Sequence, residues 1–190
     1  WGSPTLLTLD LALLVELPAP IRVVVLGRLQ VLLPDQSHPL VQIRMDALGV
    51  LDLSAETVAL DATLYDSRIL QFTLTGDMAL RAGWGRQPQF VLAIGGFHPR
   101  FAPPPGLPAL KRLALQLADG DSLQLRCQAY LAVTSNTVQF GARVDLHAAG
   151  GGFSFDGLLG FDAILQLAPL AFEVEVGAAL ALRYHGRLLM

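Results

Sequence analysis

The chain has 190 residues and a formal net charge of −3, with 53% hydrophobic and 15% charged residues. Its charged fraction lies well below the usual ~25%, and no basic run supplies the positive footprint that nucleic-acid binding needs, so we expect no nucleic-acid partner. The single cysteine, Cys127, excludes an internal disulfide, and no apolar run reaches the ~18 residues of a transmembrane helix.

Alternation of apolar and polar residues, which is typical of strands with one buried face, recurs along the whole chain. We predict about eleven strands, at residues 7–17, 21–33, 41–53, 58–64, 70–80, 90–94, 113–117, 123–133, 138–146, 153–167 and 170–182. Short turn signals separate them, for example the hairpin signal Asp119-Gly120-Asp121. The sequence therefore predicts an all-β fold without significant helix. It is an antiparallel meander of long strands in a strongly curved sheet, which forms an open groove, a taco or a barrel-like shape.

The apolar set of each predicted strand contains no charged residue. Such a sheet has one continuous apolar face, which must close on itself, pack on another layer or hold apolar material. The larger side chains of that face are the candidate ligand-binding residues: Phe72, Leu92, Ile94, Leu131, Phe140, Phe155, Phe161 and Phe172.

The one long interruption of the strand pattern is the Gly- and Pro-rich stretch near the middle of the chain. Phe97, His98, Arg100 and Phe101 form an aromatic and basic cluster there. One interpretation is a recognition or lid loop. We favour a structural crossover at residues 96–108 that joins two halves, residues 1–95 and 109–190. The chain is then a single β domain, or a segment of a longer protein.

Catalytic patterns are missing from the sequence. Asp156 and Asp162 have the same parity on one strand but lie roughly 20 Å apart, too far for a carboxylate pair that acts on one bond. His38 and His98 lie far apart in the sequence without an acidic partner at a fixed spacing, and His147 and His185 lie near strand ends on the polar side. No nucleophile, phosphate-loop or zinc-protease motif is present. We therefore expect no enzyme activity, no cofactor and no metal site.

These observations leave three functional interpretations open. The first is a non-enzymatic module whose apolar face holds a hydrophobic, lipid-like ligand or packs within a larger protein. The second is a structural or assembly segment of a giant protein, with other segments of the same chain as partners. The third is a fragment of a membrane β-barrel, so membrane contact stays open at this point.

Three motifs carry a family resemblance: Gly95-Gly96-Phe97-His98-Pro99-Arg100-Phe101, Pro103-Pro104-Pro105-Gly106-Leu107-Pro108 and Ser135-Asn136-Thr137-Val138-Gln139-Phe140-Gly141-Ala142. They resemble motifs of very large, uncharacterised bacterial β-rich proteins that contain a domain of unknown function. The resemblance covers most of the chain and implies a piece of a longer protein, without a substrate or catalytic residue. By architecture alone, the predicted sheet is also similar to the grooves of bridge-like lipid-transfer proteins and to β-taco domains.

Overall fold

The computed structural model describes residues 6–86 and 88–189, which form fourteen antiparallel strands in one sheet. The described residues include no helix, and the predicted all-β meander is confirmed. The strands are β1 (Leu7–Glu16), β2 (Arg22–Leu33), β3 (Val41–Asp52), β4 (Thr57–Leu64), β5 (Ser67–Ile69), β6 (Phe72–Thr75), β7 (Asp77–Gly83), β8 (Gln89–Ile94), β9 (Leu113–Asp119), β10 (Leu123–Thr134), β11 (Thr137–Gly150), β12 (Phe153–Gln166), β13 (Ala171–Tyr184) and β14 (Arg187–Leu188).

The structure has fourteen strands where the sequence predicted eleven. A short strand, β5, follows β4, one predicted strand is divided into β6 and β7, and the last hairpin adds β14. β5 follows β4 along β3 after a break at Asp66, which has a φ of 43°. There the Ser67 hydroxyl, which accepts from the Arg44 N–H at 2.8 Å, substitutes for a backbone group of the ladder. The predicted strand 70–80 is split at Gly76 into β6 and β7. Periodicity does not reveal the break at Gly76, because the even-numbered residues face the apolar side in both β6 and β7. At Asp66 the apolar positions change from even-numbered, at Leu64, to odd-numbered, at Ile69.

The Gly- and Pro-rich stretch, which we name the central loop (residues 95–112), is inserted between β8 and β9. Both of these strands pair with β10. At the two ends of the loop, the Gly95 N–H donates to the Asp77 carbonyl at 2.8 Å and the Asp77 N–H donates to the Lys111 carbonyl at 3.2 Å. The chain therefore leaves the sheet at the end of β8 and re-enters it as β9, which continues the position of β8 beside β10. Strands from both predicted halves belong to one sheet, and the division at the loop stays a prediction.

The register divides the side chains into two faces, because residues directly opposite each other in antiparallel strands share a face. The first, which we name the apolar face, contains all the predicted apolar sets. One row across it reads Leu11, Gly27, Ala47, Ala62, Met78, Ile94, Leu131, Phe140, Ala163 and Val174. The opposite, polar face carries cross-strand ion pairs such as Arg22–Asp52 and Arg28–Asp46, both at 2.9 Å.

The best-buried side chains lie on the polar face, beneath the central loop. Ala79, Ala93, Ala132 and Gln139 are fully buried there, and His98 of the loop is 2% exposed. By contrast, many large side chains of the apolar face are exposed, up to 74% at Val176. The sequence left open whether the apolar face is covered by the chain itself, and in the structure much of it is exposed. The reason is that the described residues supply one covering element, the central loop, and it packs on the polar face.

Gly141 and Gly177 offer a matched test of this packing, since both lie on the polar face. A Cβ at Gly141 would come within 2.5 Å of Tyr130 Cε1 and 2.7 Å of the Phe161 carbonyl oxygen, whereas one at Gly177 would meet nothing within 4 Å. We expect Gly141→Ala to lower the free energy of unfolding by about 1–3 kcal/mol. Gly177→Ala should be neutral or stabilise by up to ~1 kcal/mol. Urea unfolding of both variants checks this, and equal effects would contradict the packing described.

Candidate functional site

The eight predicted ligand-binding residues all lie on the apolar face. Leu131 is opposite both Ile94 and Phe140, Val133 is opposite Leu92, and the register places the other members of the set on the same side. Leu131, Phe140, Phe161 and Phe172 are exposed, by 39 to 63%, and Phe72, Leu92, Ile94 and Phe155 are half-buried. The structure thus brings them to one surface but not to one enclosed pocket. Ligand binding by these residues stays a prediction.

Charge is missing from this surface over most of its width. The register of β1–β13 assigns no charged side chain of the described residues to the apolar face. One charged residue, Arg187 of β14, pairs with Tyr184 at the corner of the sheet. Away from this corner, the face therefore has no charged group that would select one headgroup over another.

The extent of the apolar face is large for a protein surface. It spans ten successive strands, β1, β2, β3, β4, β7, β8, β10, β11, β12 and β13. At ~4.8 Å between strands and ~3.3 Å per residue, it measures roughly 50 by 40 Å. Exposed apolar patches on typical monomers measure ~300–600 Å². The apolar face is several times larger than such a patch.

The four predicted loop residues lie behind this surface, on the polar face. The rings of Phe97 and Phe101 stack with their centroids 5.4 Å apart. Arg100 reaches across to β13, where it binds Glu173 at 2.6 Å and also contacts Glu175. The loop cluster is thus separated from the apolar face by the thickness of the sheet, and the two predicted sets form two sites.

His98 attaches the central loop to β11. The backbone N–H of His98 donates to Gln139 Oε1 at 2.9 Å, and the ring Nδ1 of His98 accepts from the backbone N–H of Arg100 at 3.2 Å. This geometry assigns the ring proton to Nε2. Nε2 is buried and makes no hydrogen bond within the described part of the chain. Gln139 in turn donates to Thr137 Oγ1 at 2.8 Å. The contacts of His98 are those of a buried structural residue.

Arg112 closes the other end of the loop and was not singled out from the sequence. Its guanidinium donates to the Gly95 carbonyl at 3.0 Å and the Phe97 carbonyl at 2.8 Å, and it lies 4.0 Å from the centroid of the Tyr130 ring. Tyr130 crosses over Gly141 and donates to Asp162 Oδ1 at 2.8 Å. Burial is the main cause that lowers the pKa of Arg112. Burial, followed by the hydrogen bond to Asp162, raises the pKa of Tyr130.

One sequence signal for this network was available. Tyr130 is an aromatic residue at a polar-face position, directly opposite the strand glycine Gly141. An aromatic side chain commonly covers a cross-strand glycine in designed and natural sheets. Finding the pair requires the register of β10 and β11, which the short turn at Ser135-Asn136 between them predicts. The partners Asp162 and Arg112 have no such local signal.

The polar face also carries a second cluster, at the far ends of β11–β13. His147 Nδ1 lies 2.6 Å from Asp156 Oδ1, and Arg183 contacts the other oxygen of Asp156. The hydrogen bond with His147 is the largest cause that lowers the pKa of the Asp156 carboxyl. No serine, threonine or cysteine hydroxyl or thiol is paired with His147 among its described contacts. The described residues contain no group of His, Cys, Asp and Glu that could hold a metal ion.

The raised pKa of Tyr130 predicts an alkaline loss of stability. Above about pH 10 the phenol ionises in the unfolded chain, while the folded chain still holds its proton. The free energy of unfolding should therefore fall as the pH rises above about 10. Tyr130→Phe should reduce this dependence and, at neutral pH, lower stability by about 1–3 kcal/mol, because Asp162 loses a donor.

Urea unfolding between about pH 8 and pH 11 measures this dependence, since that range spans the ordinary pKa of tyrosine. Tyr184→Phe is the control, because it removes a phenol that is 41% exposed and lies outside the Tyr130–Asp162 contact. A Tyr130→Phe variant with the slope of the parent would show that another group causes it.

Comparison with known proteins gives a family and no function. Among residues 6–86 and 88–189, no helix has the length and apolar composition needed to cross a bilayer. No curated protein matches the chain, and no solved structure matches it. The model of a family of unknown function, DUF6603, matches residues 1–190, the whole chain. The predicted resemblance to an uncharacterised family is therefore confirmed: the chain belongs to the family of unknown function DUF6603.

Proposed function

We propose that this chain is a non-enzymatic β-sheet module that holds hydrophobic, lipid-like material on its apolar face. The single observation that carries the proposal is the uncovered apolar surface across ten strands, where Leu13, Leu159, Phe172 and Val176 are 58 to 74% exposed. Leaving so much apolar surface in water is unfavourable, by ~25 cal/mol for each Å². A partner that covers it gains that free energy.

Acyl chains are the ligand class that fits this surface best. Each methylene removed from water contributes about 0.8 kcal/mol without any directional contact. The apolar face of β1–β13 offers branched and aromatic side chains and no charged group. Its length of roughly 40 Å along the strands accommodates an extended chain of any common lipid. Binding would thus follow chain length and have little dependence on the headgroup.

The non-enzymatic part of the proposal is supported by how the polar groups are used. Arg112, Tyr130 and Asp162 hold the central loop against the sheet, and Arg100 binds two glutamates of β13. His147 and Arg183 share Asp156. These groups satisfy one another, and an acid or base that acts on a substrate needs a free partner site and a nearby reacting group.

A second candidate function is structural, and the ends of the sheet favour it. Within residues 6–86 and 88–189, β2 is the strand that pairs with β1, and β14 lies opposite Arg183 and Tyr184 of β13. Long unpaired edges are sites at which further strands add. In this alternative, other segments of a longer chain cover the apolar face, and the module is one part of a larger sheet.

Two adjacent leucines of β12 provide a sharp test of lipid binding, because they point to opposite faces. Leu159 is opposite Val144 on the apolar face, and Leu158 is opposite Asp145 on the polar face. We expect Leu159→Lys to weaken binding of a fluorescent C16 fatty acid at least about tenfold, which corresponds to ~1.4 kcal/mol. Leu158→Lys should change it less than about twofold. Titration followed by fluorescence measures both.

Mass spectrometry of the purified parent protein under non-denaturing conditions complements this titration. The proposal expects co-purified lipid or, after delipidation, uptake of added phospholipid. A folded parent that takes up neither, or equal losses in the two lysine variants, would refute lipid binding. The first of these results would leave the structural candidate standing.

A further inference from the structure

Among the described residues, the two outermost long strands of the sheet, β1 and β13, present the same kind of backbone surface from Leu9 to Val15 and from Phe172 to Leu180. The Leu32 N–H donates to the Leu6 carbonyl, so the even-numbered residues of β1 bond to β2. The backbone groups of Leu9, Leu11, Leu13 and Val15 therefore point away from β2, because bonding direction alternates along an antiparallel strand. At the other end, the Leu189 N–H donates to the Leu182 carbonyl. The backbone N–H and C=O groups of the even-numbered residues of β13 therefore point away from β12.

The outward-pointing residues of both edges have their side chains on the apolar face. In β1 these residues are Leu9, Leu11, Leu13 and Val15, and in β13 they are Phe172, Val174, Val176, Ala178 and Leu180. In an antiparallel pair, residues that exchange hydrogen bonds lie directly opposite each other and share a face. An antiparallel junction of β1 with β13 therefore continues the apolar face across the seam. A parallel junction would place apolar side chains beside polar ones.

The number of strands between β1 and β13 determines whether a second copy in the same orientation can form this antiparallel junction. Nine antiparallel steps lead from β1 through β2, β3, β4, β7, β8, β10, β11 and β12 to β13, so β1 and β13 run in opposite directions. A second copy with the same orientation thus brings its β1 antiparallel to β13 of the first. We infer that β13 of one copy pairs with β1 of a second copy of this chain, head to tail, and that repetition extends one sheet with one apolar face.

The composition of the two edges agrees with pairing rather than with protection. Natural edge strands carry lysine, proline or bulges that prevent pairing, and neither β1 nor β13 contains lysine or proline. The acidic side chains along the seam have cations on their own copy: Arg22 binds Glu16, Arg28 is opposite Asp10, and Arg100 binds Glu173 and Glu175. A contact between β13 of one copy and β13 of a second copy would instead place Glu173, Glu175 and Arg100 of both copies at one seam.

The junction gives the structural candidate a specific form, and it does not depend on lipid binding. Leu11→Pro and Val176→Pro each remove one outward N–H, while the bonds to β2 and β12, which the alternate residues make, remain. Sedimentation velocity in a non-ionic detergent, which covers the apolar face, then reports edge pairing alone. We expect the parent protein to form an open series of oligomers that grows with concentration, and each proline variant alone to be monomeric.

Mixing the two proline variants is the decisive measurement. Leu11→Pro keeps an intact β13 edge and Val176→Pro keeps an intact β1 edge, so the mixture should form a 1:1 heterodimer that grows no further. A parent protein that stays monomeric at every concentration overturns the inference. So does a closed dimer that only one variant abolishes, since that result identifies a two-fold β1–β1 or β13–β13 contact.

Folding of the variants is checked by circular dichroism. Where a proline variant fails to fold, the pair Leu11→Lys and Val176→Lys replaces it in the same mixing design, because lysine on an edge also blocks strand addition. Leu159→Lys, in the interior of the sheet, is the control. It should keep the oligomer series even though it weakens lipid binding, so failure of this inference and failure of the proposed function give different results.

Discussion

The antiparallel register, which runs without a shift across the sheet from Leu11 in β1 to Val174 in β13, decides the position of every strand side chain. A slip of one residue in any strand would move its leucines to the polar face and its charges to the apolar face. Ion pairs oppose such a slip, since Arg22 lies opposite Asp52 and Arg28 lies opposite Asp46 only in this register. The separation of the two faces follows from this one constraint.

The two faces then differ in what covers them. The central loop packs on the polar face, where His98, Arg100 and Arg112 bind β11, β13 and the Tyr130 ring. Gly95 permits the close approach at the root of the loop: its φ is +70°, and a Cβ there would lie 2.5 Å from the Ala129 carbonyl oxygen. A well-packed polar face beside a bare apolar face is the reverse of an ordinary half-solvated sheet. This exposure is the reason for which we propose a ligand on the apolar face.

In the two proposals above, face and edges together describe a module that is incomplete alone. The apolar face then needs a partner across the sheet, and within the described residues no strand lies opposite the outward backbone groups from Leu9 to Val15 in β1 and from Phe172 to Leu180 in β13. Lipid-like material meets the first need, because it requires no directional contact. A further strand meets the second, because it supplies hydrogen bonds in register. The two partners occupy different surfaces, so the proposed ligand and the proposed second copy can bind at the same time.

Alternation along the chain by itself determined the all-β class, the meander and the membership of each face, because a period of two residues is a local property of a strand. It also grouped the eight candidate apolar residues, from Phe72 to Phe172, on one side. Only the tertiary structure decided that the central loop leaves and rejoins one row, that it covers the polar face, and that Tyr130, Asp162 and Arg112 form one network. These features join residues distant in sequence, such as Tyr130 and Asp162, and no local pattern encodes which of them meet. The break at Gly76 was hidden for a related reason, since alternation continues through it from β6 to β7. The break at Asp66 shifts the alternation by one residue, and the β5 that follows has only three residues, too few to establish a period.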